Sequence, residues 1–389
     1  MDTITPEKKP RIAPFAIMVT LFWMSLYTYQ PLLSPHSYSL GASTVLVGTI
    51  LSSYGFTQMF LRIPIGLVSD RLGKRKPFVI MGCVITVISA LGMGLSNDPI
   101  VFLIFRGLSG AAASTWVSFT VLFSSYYDPA RAPQAMARVM MFNQFGRMVA
   151  MTIGGQASEL LGDRASFFLA AALGSASVIA ALFITESVAV QREPLKFTEQ
   201  LKVGLDKNLL IVSGLALLVQ IIQWGATNGF TPQYAVELGC TSAQLGILTS
   251  ISVLGILTAS FLNTRFLLEK WGARRCIITG AIINAVFTVF IPLFAHTIPV
   301  LFVLQFFVGL GNGLCFPLLM GLSIQNIPSE KRGVAMGFYQ SIYALGMFIG
   351  PILTSFLINL FSLPISLICI GCSGFITATI ALLILPKGK

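Results

Sequence analysis

The chain has 389 residues, 55% of them hydrophobic and 10% charged, with a formal net charge of +11 and a mean hydropathy of +0.83. Soluble domains carry about 25% charged residues, so a water-soluble domain is excluded by the shortage of polar surface. The chain reads as an all-α integral membrane protein.

The first segment, residues 1–11, is short and basic, with Lys8, Lys9 and Arg11. The apolar run that starts at Ile12 is longer than the core of a signal peptide and is followed by no small-residue cleavage site, so it is expected to stay as a span. A membrane-crossing helix needs about 20 apolar residues, and six such runs follow at roughly 12–34, 43–69, 77–96, 99–126, 135–160 and 165–186. A charged linker is expected over 187–207. Six further runs lie at roughly 208–233, 243–266, 275–295, 298–325, 333–359 and 363–385, and a short tail, 386–389, closes the chain. The expected domains are therefore an N-terminal six-helix bundle over 12–186 and a C-terminal one over 208–385. The runs lack the strict apolar–polar alternation of membrane β-strands.

The 25 Lys and Arg residues report orientation. With even-numbered spans returning to the starting side, all but four fall in the two termini, the central linker or the loops after spans 2, 4, 8 and 10. Arg164 alone lies in an opposite loop, and Arg62, Arg106 and Arg147 lie within spans. The positive-inside rule then places both termini in the cytoplasm. Charge spread over loops in this way is not the basic patch of a nucleic-acid-binding protein, so no nucleic-acid partner is expected. The lipid bilayer is the expected surroundings.

The two halves repeat. "LGASTVLVG" at Leu40–Gly48 aligns with "LGCTSAQLG" at Leu238–Gly246. "DRLGKRK" at Asp70–Lys76 aligns with "EKWGARR" at Glu269–Arg275, and "AMARVMMFNQFG" at Ala135–Gly146 with "AMGFYQSIYALG" at Ala335–Gly346. Three matches at offsets of 198, 199 and 200 indicate two bundles in parallel pseudo-repeat, an architecture that places a substrate site between the halves near the midplane.

The loop after span 2, "GLVSDRLGKRK", brings Gly66, Asp70, Arg71, Gly73, Lys74 and Arg75 together. Gly66 suits a close helix approach, and Gly73 a tight turn. Span 4 carries "RGLSGAAA" from Arg106 to Ala113. Both stretches resemble signature motifs of the major facilitator superfamily, and the chain is identified as similar to its bacterial drug- and metabolite-efflux branch. The span 5 motif of the family's antiporters is degenerate here: Gly146, Gly154 and Gly155 remain, whereas the central Gly-Pro is Ala150-Met151, and an intact Gly350-Pro351 stands in span 11.

The resemblance implies the twelve-helix fold, a secondary active transporter working by alternating access, a latch formed by the Gly66–Arg75 motif and a multi-pass monomer in a bacterial cell inner membrane. It implies proton-coupled efflux of a small organic or amphiphilic compound as the leading activity. Uptake or exchange of an organic anion stands beside it. It implies no catalytic residues, no cofactor and no metal, and the residues show no enzyme-like cluster.

An arginine at a helix centre costs about 2.5–3.5 kcal/mol on insertion scales. Arg62, near a span end, is expected to snorkel. Arg106 is either a coupling residue, as the resemblance implies, or a scaffold. Arg147, with Asn143 one turn before it and Met347 as its repeat equivalent, either receives a substrate anion or is neutralised by Glu159 or by backbone groups. Asp70, Arg106, Glu159 and Glu237 are the candidates for proton coupling, and His36 and His296 are set aside as loop residues. The cavity is expected to be lined by Tyr27, Gln30, Arg106, Asn143, Arg147, Gln223, Trp224, Asn228 and Asn312, whose amides, phenol and indole suit a polar and aromatic ligand. Pro31 and Pro232, at similar places in the two repeats, are expected to kink their helices. The six scattered cysteines form no disulfide pattern.

Overall fold

The computed structural model describes residues 12–127, 131–186, 197–328 and 331–386. Among these, every regular element is helical. The expected N-terminal segment and the last residues of the tail lie outside the described residues, as does the Asp70 side chain.

Span 1 is built from α1 (Ile12–Tyr27), a 3-10 turn (Gln30–Leu32) and α2 (Leu33–Ser39). Pro31 lies inside the turn. Span 2 is α3 (Thr44–Leu72), and span 3 is α4 (Lys76–Leu95). Span 4 breaks at Thr115 into α5 (Pro99–Ser114) and α6 (Trp116–Ser124). Spans 5 and 6 are α7 (Ala132–Leu161) and α8 (Ala165–Leu182). The stretch expected as linker includes a short helix, α9 (Phe197–Gly204), packed on span 11. Span 7 consists of α10 (Lys207–Ile221), a nine-residue π-helical stretch (Ile222–Phe230) and α11 (Thr231–Glu237). Spans 8 to 12 follow as α12 (Ser242–Leu262), α13 (Leu268–Phe294, broken by a turn at Gly272), α14 (Ile298–Gln325), α15 (Arg332–Leu360) and α16 (Leu363–Ile384).

Span 1 therefore runs to Ser39, beyond its expected end. The prolines of spans 1 and 7 interrupt α-geometry where they were expected to, by a tightened turn in one span and by a widened π stretch before Pro232 in the other. Span 5 is the least apolar. Arg138, Asn143, Gln144, Arg147 and Gln156 interrupt its apolar run. Such a helix is stable at membrane depth only where protein or water covers its polar side.

The repeat is visible in the backbone. Gly41 and Gly239 adopt φ of +83° and +85°, and Gly73 and Gly272 adopt +60° and +73°. Each pair occupies equivalent turns of the two halves, a left-handed conformation that glycine alone adopts without penalty.

The halves meet along two helix pairs, α3 with α15 and α7 with α12. Small residues let these backbones approach: a Cβ on Gly155 would lie 2.9 Å from the Cα of Gly246, and one on Gly55 would lie 2.7 Å from the amide nitrogen of Phe348. Lipid is as apolar as leucine, so close packing of this kind, rather than hydrophobic burial, holds membrane helices together. Gly146 is similarly tight against the Thr20 carbonyl of α1, at 2.7 Å. The worn span 5 motif thus keeps its packing role without its proline. Gly66 differs from expectation: its nearest neighbour would be a Val117 methyl at 3.6 Å, an ordinary contact.

At the face away from the basic loops, further elements of the two halves meet. There α2 packs on α11 and on the π stretch, and the 3-10 turn packs on α12. Tyr29, Leu32 and Leu33 share one buried cluster with Phe230, Tyr234 and Ala235. Toward the basic loops, α1 and α6 make no comparable contact with α10 or α14.

Candidate functional site

The site lies between the halves, where spans 1, 2, 4 and 5 face span 7. Its core consists of two arginines, each set against a tyrosine ring. The guanidinium carbon of Arg106 lies 4.5 Å from the Tyr54 ring centroid and 5.9 Å from that of Tyr29. That of Arg147 lies 4.2 Å from the Tyr27 ring. A cation over an aromatic face gains about 0.5–2 kcal/mol, more when desolvated.

The two arginines differ in what else they hold. Arg106 is fully buried; its Nη1 donates to Ser109 Oγ and its Nη2 to Gln30 Oε1, both at 3.1 Å. Bonds of this type contribute about 1.5–3 kcal/mol each, enough to offset the insertion cost. Arg106 thus spends both terminal nitrogens within the N-terminal half, as a scaffold arginine would, although its Nε, like that of Arg147, is buried without a partner among the described residues. Arg147 is half-buried. Among the described residues, its one hydrogen bond runs from Nη1 to Gln144 Oε1 at 2.9 Å, and its buried Nε has no partner.

Glu159 does not neutralise Arg147, which corrects that part of the competing expectation. It lies twelve residues further along α7, about 18 Å at helical rise. It is exposed, and its carboxylate accepts a hydrogen bond from the Ala243 amide at the start of α12, at 3.3 Å. Glu237 is also exposed, at the end of α11. Among the described residues, no carboxylate is buried.

Around the arginines stands an aromatic ladder. Trp116 meets Trp23 edge-on at 5.1 Å, and Trp23 lies 5.7 Å from Tyr27. Tyr54 stacks on Trp224 of the other half at 5.0 Å, with 23° between the rings. The predicted cluster Gln223, Trp224 and Asn228 falls entirely in the π stretch, and all three are buried. In an α-helix, positions i and i+5 diverge by roughly 140°. The i to i+5 bonding of a π stretch brings them back toward one face, and π segments recur at functional sites. Gln223 Oε1 accepts from Asn312 Nδ2 of α14 at 2.7 Å. The Nδ2 of Asn228 and the Nε2 of Gln30 are buried and unpartnered among the described residues. Asn143 is buried on α7, one turn from Arg147.

The expected latch is partly described. Gly73 makes the turn, while Arg71 and Lys74 are exposed. Arg75 is buried and donates from Nη1 to Ser69 Oγ at 2.6 Å. Burial lowers its pKa, with the charge of Glu186 opposing the shift. Glu186, which carries no mark in the sequence, accepts from the backbone amides of Arg75 and Lys76 at 3.0 and 2.9 Å. Lys76 Nζ in turn donates to the carbonyls of Leu182 and Ile184, both at 2.8 Å. The start of α4 and the end of α8 cap each other, each end taking the charge its dipole favours.

Arg62 does not snorkel. It is 2% exposed, bonded from Nη2 to Gln58 Oε1 at 2.7 Å and from Nη1 to the Tyr343 hydroxyl at 2.9 Å. Tyr54, Gln58, Tyr343 and Gln144 were not anticipated. Polar and aromatic letters at one helical turn from a span arginine, as Gln58 and Gln144 are, were the available signal.

The family model described as Major Facilitator Superfamily matches residues 15–219 and 213–389. An uncharacterized MFS-type transporter of Methanocaldococcus jannaschii is 24% identical, covering 89% of this chain and 91% of its own. The cis,cis-muconate transport protein of Acinetobacter baylyi is 25% identical over 83% of this chain and 81% of its own. The multidrug resistance protein MdtG of Citrobacter koseri is 26% identical over 74% and 72%. In shape, the chain is similar to the crystal structure of a point mutant of the nucleoside transporter NupG, with a TM-score of 0.79, 15% identity and coverage of 97% of this chain and 100% of that one. At that identity the likeness speaks to the fold alone.

Proposed function

The chain belongs to the Major Facilitator Superfamily, and from that premise we propose that it moves an organic carboxylate across the membrane by alternating access, with Arg147 receiving the carboxylate. It is a multi-pass membrane transporter of a small molecule and not an enzyme. One observation carries the substrate reading: Arg147 is a half-buried guanidinium at the seam of the halves, with one hydrogen bond, an aromatic floor and no described carboxylate to neutralise it. A guanidinium presents paired donors that match a carboxylate. The similarity to a muconate transport protein agrees with this reading.

The charged loops favour a bacterial inner-membrane orientation with both termini cytoplasmic. In that frame the face closed by α2 and α11 is the outer one, and the protein works as a monomer. Proton-driven efflux of an amphiphilic compound is the second reading, favoured by the ladder Trp116, Trp23 and Tyr27 and by the similarity to MdtG.

Reconstituted protein tests the choice. Exchange of labelled cis,cis-muconate and benzoate, without any ion gradient, supports the carboxylate reading. Export of a labelled organic cation driven by an imposed pH gradient, with no carboxylate exchange, removes it.

A further inference from the structure

We propose that His36 is a proton-binding group through which pH governs contact between the two halves at the face opposite the basic loops. The proposal rests on the transporter assignment and is independent of the substrate at Arg147.

His36 is one of two histidines in the chain. Span 1 continues past its 3-10 turn, so His36 sits on α2 inside the bundle and not in a loop. It is 6% exposed, and neither Nδ1 nor Nε2 has a hydrogen-bond partner among the described residues. The ring is packed 5.5 Å from Phe102 on α5 and 5.0 Å from Phe167 on α8. Phe167 stacks in turn on Tyr29 at 5.3 Å. A neutral imidazole offers one donor and one acceptor, and burying both unused is a standing cost. An imidazolium in the same box would be costlier still, because it adds a charge to an apolar site.

The charges around the box do not cancel that cost. Asp163 and Arg164, of opposite sign, face His36 from the connection between α7 and α8. Arg106, on α5, is held by Gln30 and Ser109. Asp98, exposed before α5, accepts from the amides of Ile100 and Val101. Glu237, at the end of α11, acts on Tyr38. The described parts of α8, the 3-10 turn and the π stretch carry no charged residue, and neither does the half of α3 near α2.

The location turns protonation into movement. The same α2 that carries His36 packs on α11 of the other half. Because Phe102 and Phe167 belong to the same half as His36, a proton on His36 favours an arrangement in which α2 shifts off α5 and α8 so that the ring meets water, a shift that loosens the contact α2 makes with α11, and its loss favours the closed arrangement. Histidine is the side chain whose ordinary pKa makes this switch work between pH 5 and 8. No buried carboxylate among the described residues competes for the role.

The test needs no substrate. Spin labels at Ser39→Cys and Glu237→Cys, in reconstituted protein carrying Cys369→Ser and Cys372→Ser, read the distance between α2 and α11. Lowering the pH from about 7.5 to 5.5 is expected to raise the separated population at least about fivefold, within the range of typical coupling energies. His36→Phe and His36→Gln are expected to abolish the response, and His296→Gln and Arg147→Met to preserve it. A pH response unchanged in both His36 variants, or none in the parent, overturns the proposal. Should the His36 variants not fold, ring NMR of the His296→Gln protein decides: an imidazole titrating between pH 5 and 8 upholds the proposal, and one that stays neutral throughout overturns it. Loss of carboxylate exchange in Arg147→Met with the pH response intact separates this inference from the substrate reading.

Discussion

Arg62 of α3 donates a 2.9 Å hydrogen bond to the hydroxyl of Tyr343 on α15, joining the two halves inside the membrane. The guanidinium also lies 5.8 Å from the Tyr343 ring centroid. This is a buried polar tie across the interface that slides in the proposed transport cycle. It therefore weights one arrangement of the halves against the other.

Tyr343→Phe keeps the ring and removes the acceptor. Leaving a buried charged donor unmet costs about 1–3 kcal/mol, so the present arrangement should lose population by a factor of about 5 to 160 relative to its alternative. Distance measurement between labels on α3 and α15 checks this. Equal populations in variant and parent would remove the tie from the account.

Arg106→Met should act on stability before substrate affinity. It strands Gln30 Oε1 and empties the space between Tyr54 and Tyr29. The expected loss is about 2–4 kcal/mol, read as a lower unfolding temperature in detergent. An unchanged melting curve would contradict a scaffold role.

Gly155→Leu should cripple transport by holding α7 off α12, since its Cβ would meet the Gly246 backbone at 2.9 Å. Overpacking of this kind costs about 1–3 kcal/mol, and more against backbone. Gly337→Ala, where the added carbon meets nothing within 4 Å, should leave the rate unchanged. Initial exchange rates in proteoliposomes separate the two.

Glu186→Gln removes the charge that caps the start of α4. Charge-assisted bonds are roughly twice as strong as neutral ones, so a loss of about 1 kcal/mol is expected, visible as a melting-temperature drop of a few degrees. A neutral outcome would mean that the two amides find water at no cost.

The spans, the repeat and the arginine positions are legible in the sequence because each leaves a local mark: an apolar run, a matched string, a charge where none is cheap. Gln30 and Tyr27 stand out as polar letters in span 1, and they hold Arg106 and floor Arg147. Tyr54 and Tyr343 do not stand out, because an aromatic in an apolar run looks like packing and Arg62 lies 281 positions from Tyr343. His36 looks like a loop residue as long as span 1 ends near Ser34. A 3-10 turn there continues the path of the helix, where a loop would have ended it. Arg62 reads as a snorkelling residue because Gln58 and Tyr343 become partners only once the halves are packed.

The central claim is that Arg147 receives a carboxylate, and counterflow of labelled cis,cis-muconate and benzoate into proteoliposomes tests it most directly. The account predicts exchange of a carboxylate and not of its amide. It predicts that Arg147→Met raises the half-saturating concentration about tenfold or more, the equivalent of about 1.4 kcal/mol, and that Arg147→Lys lies between the two. Carboxylate exchange by Arg147→Met with unchanged affinity would contradict it.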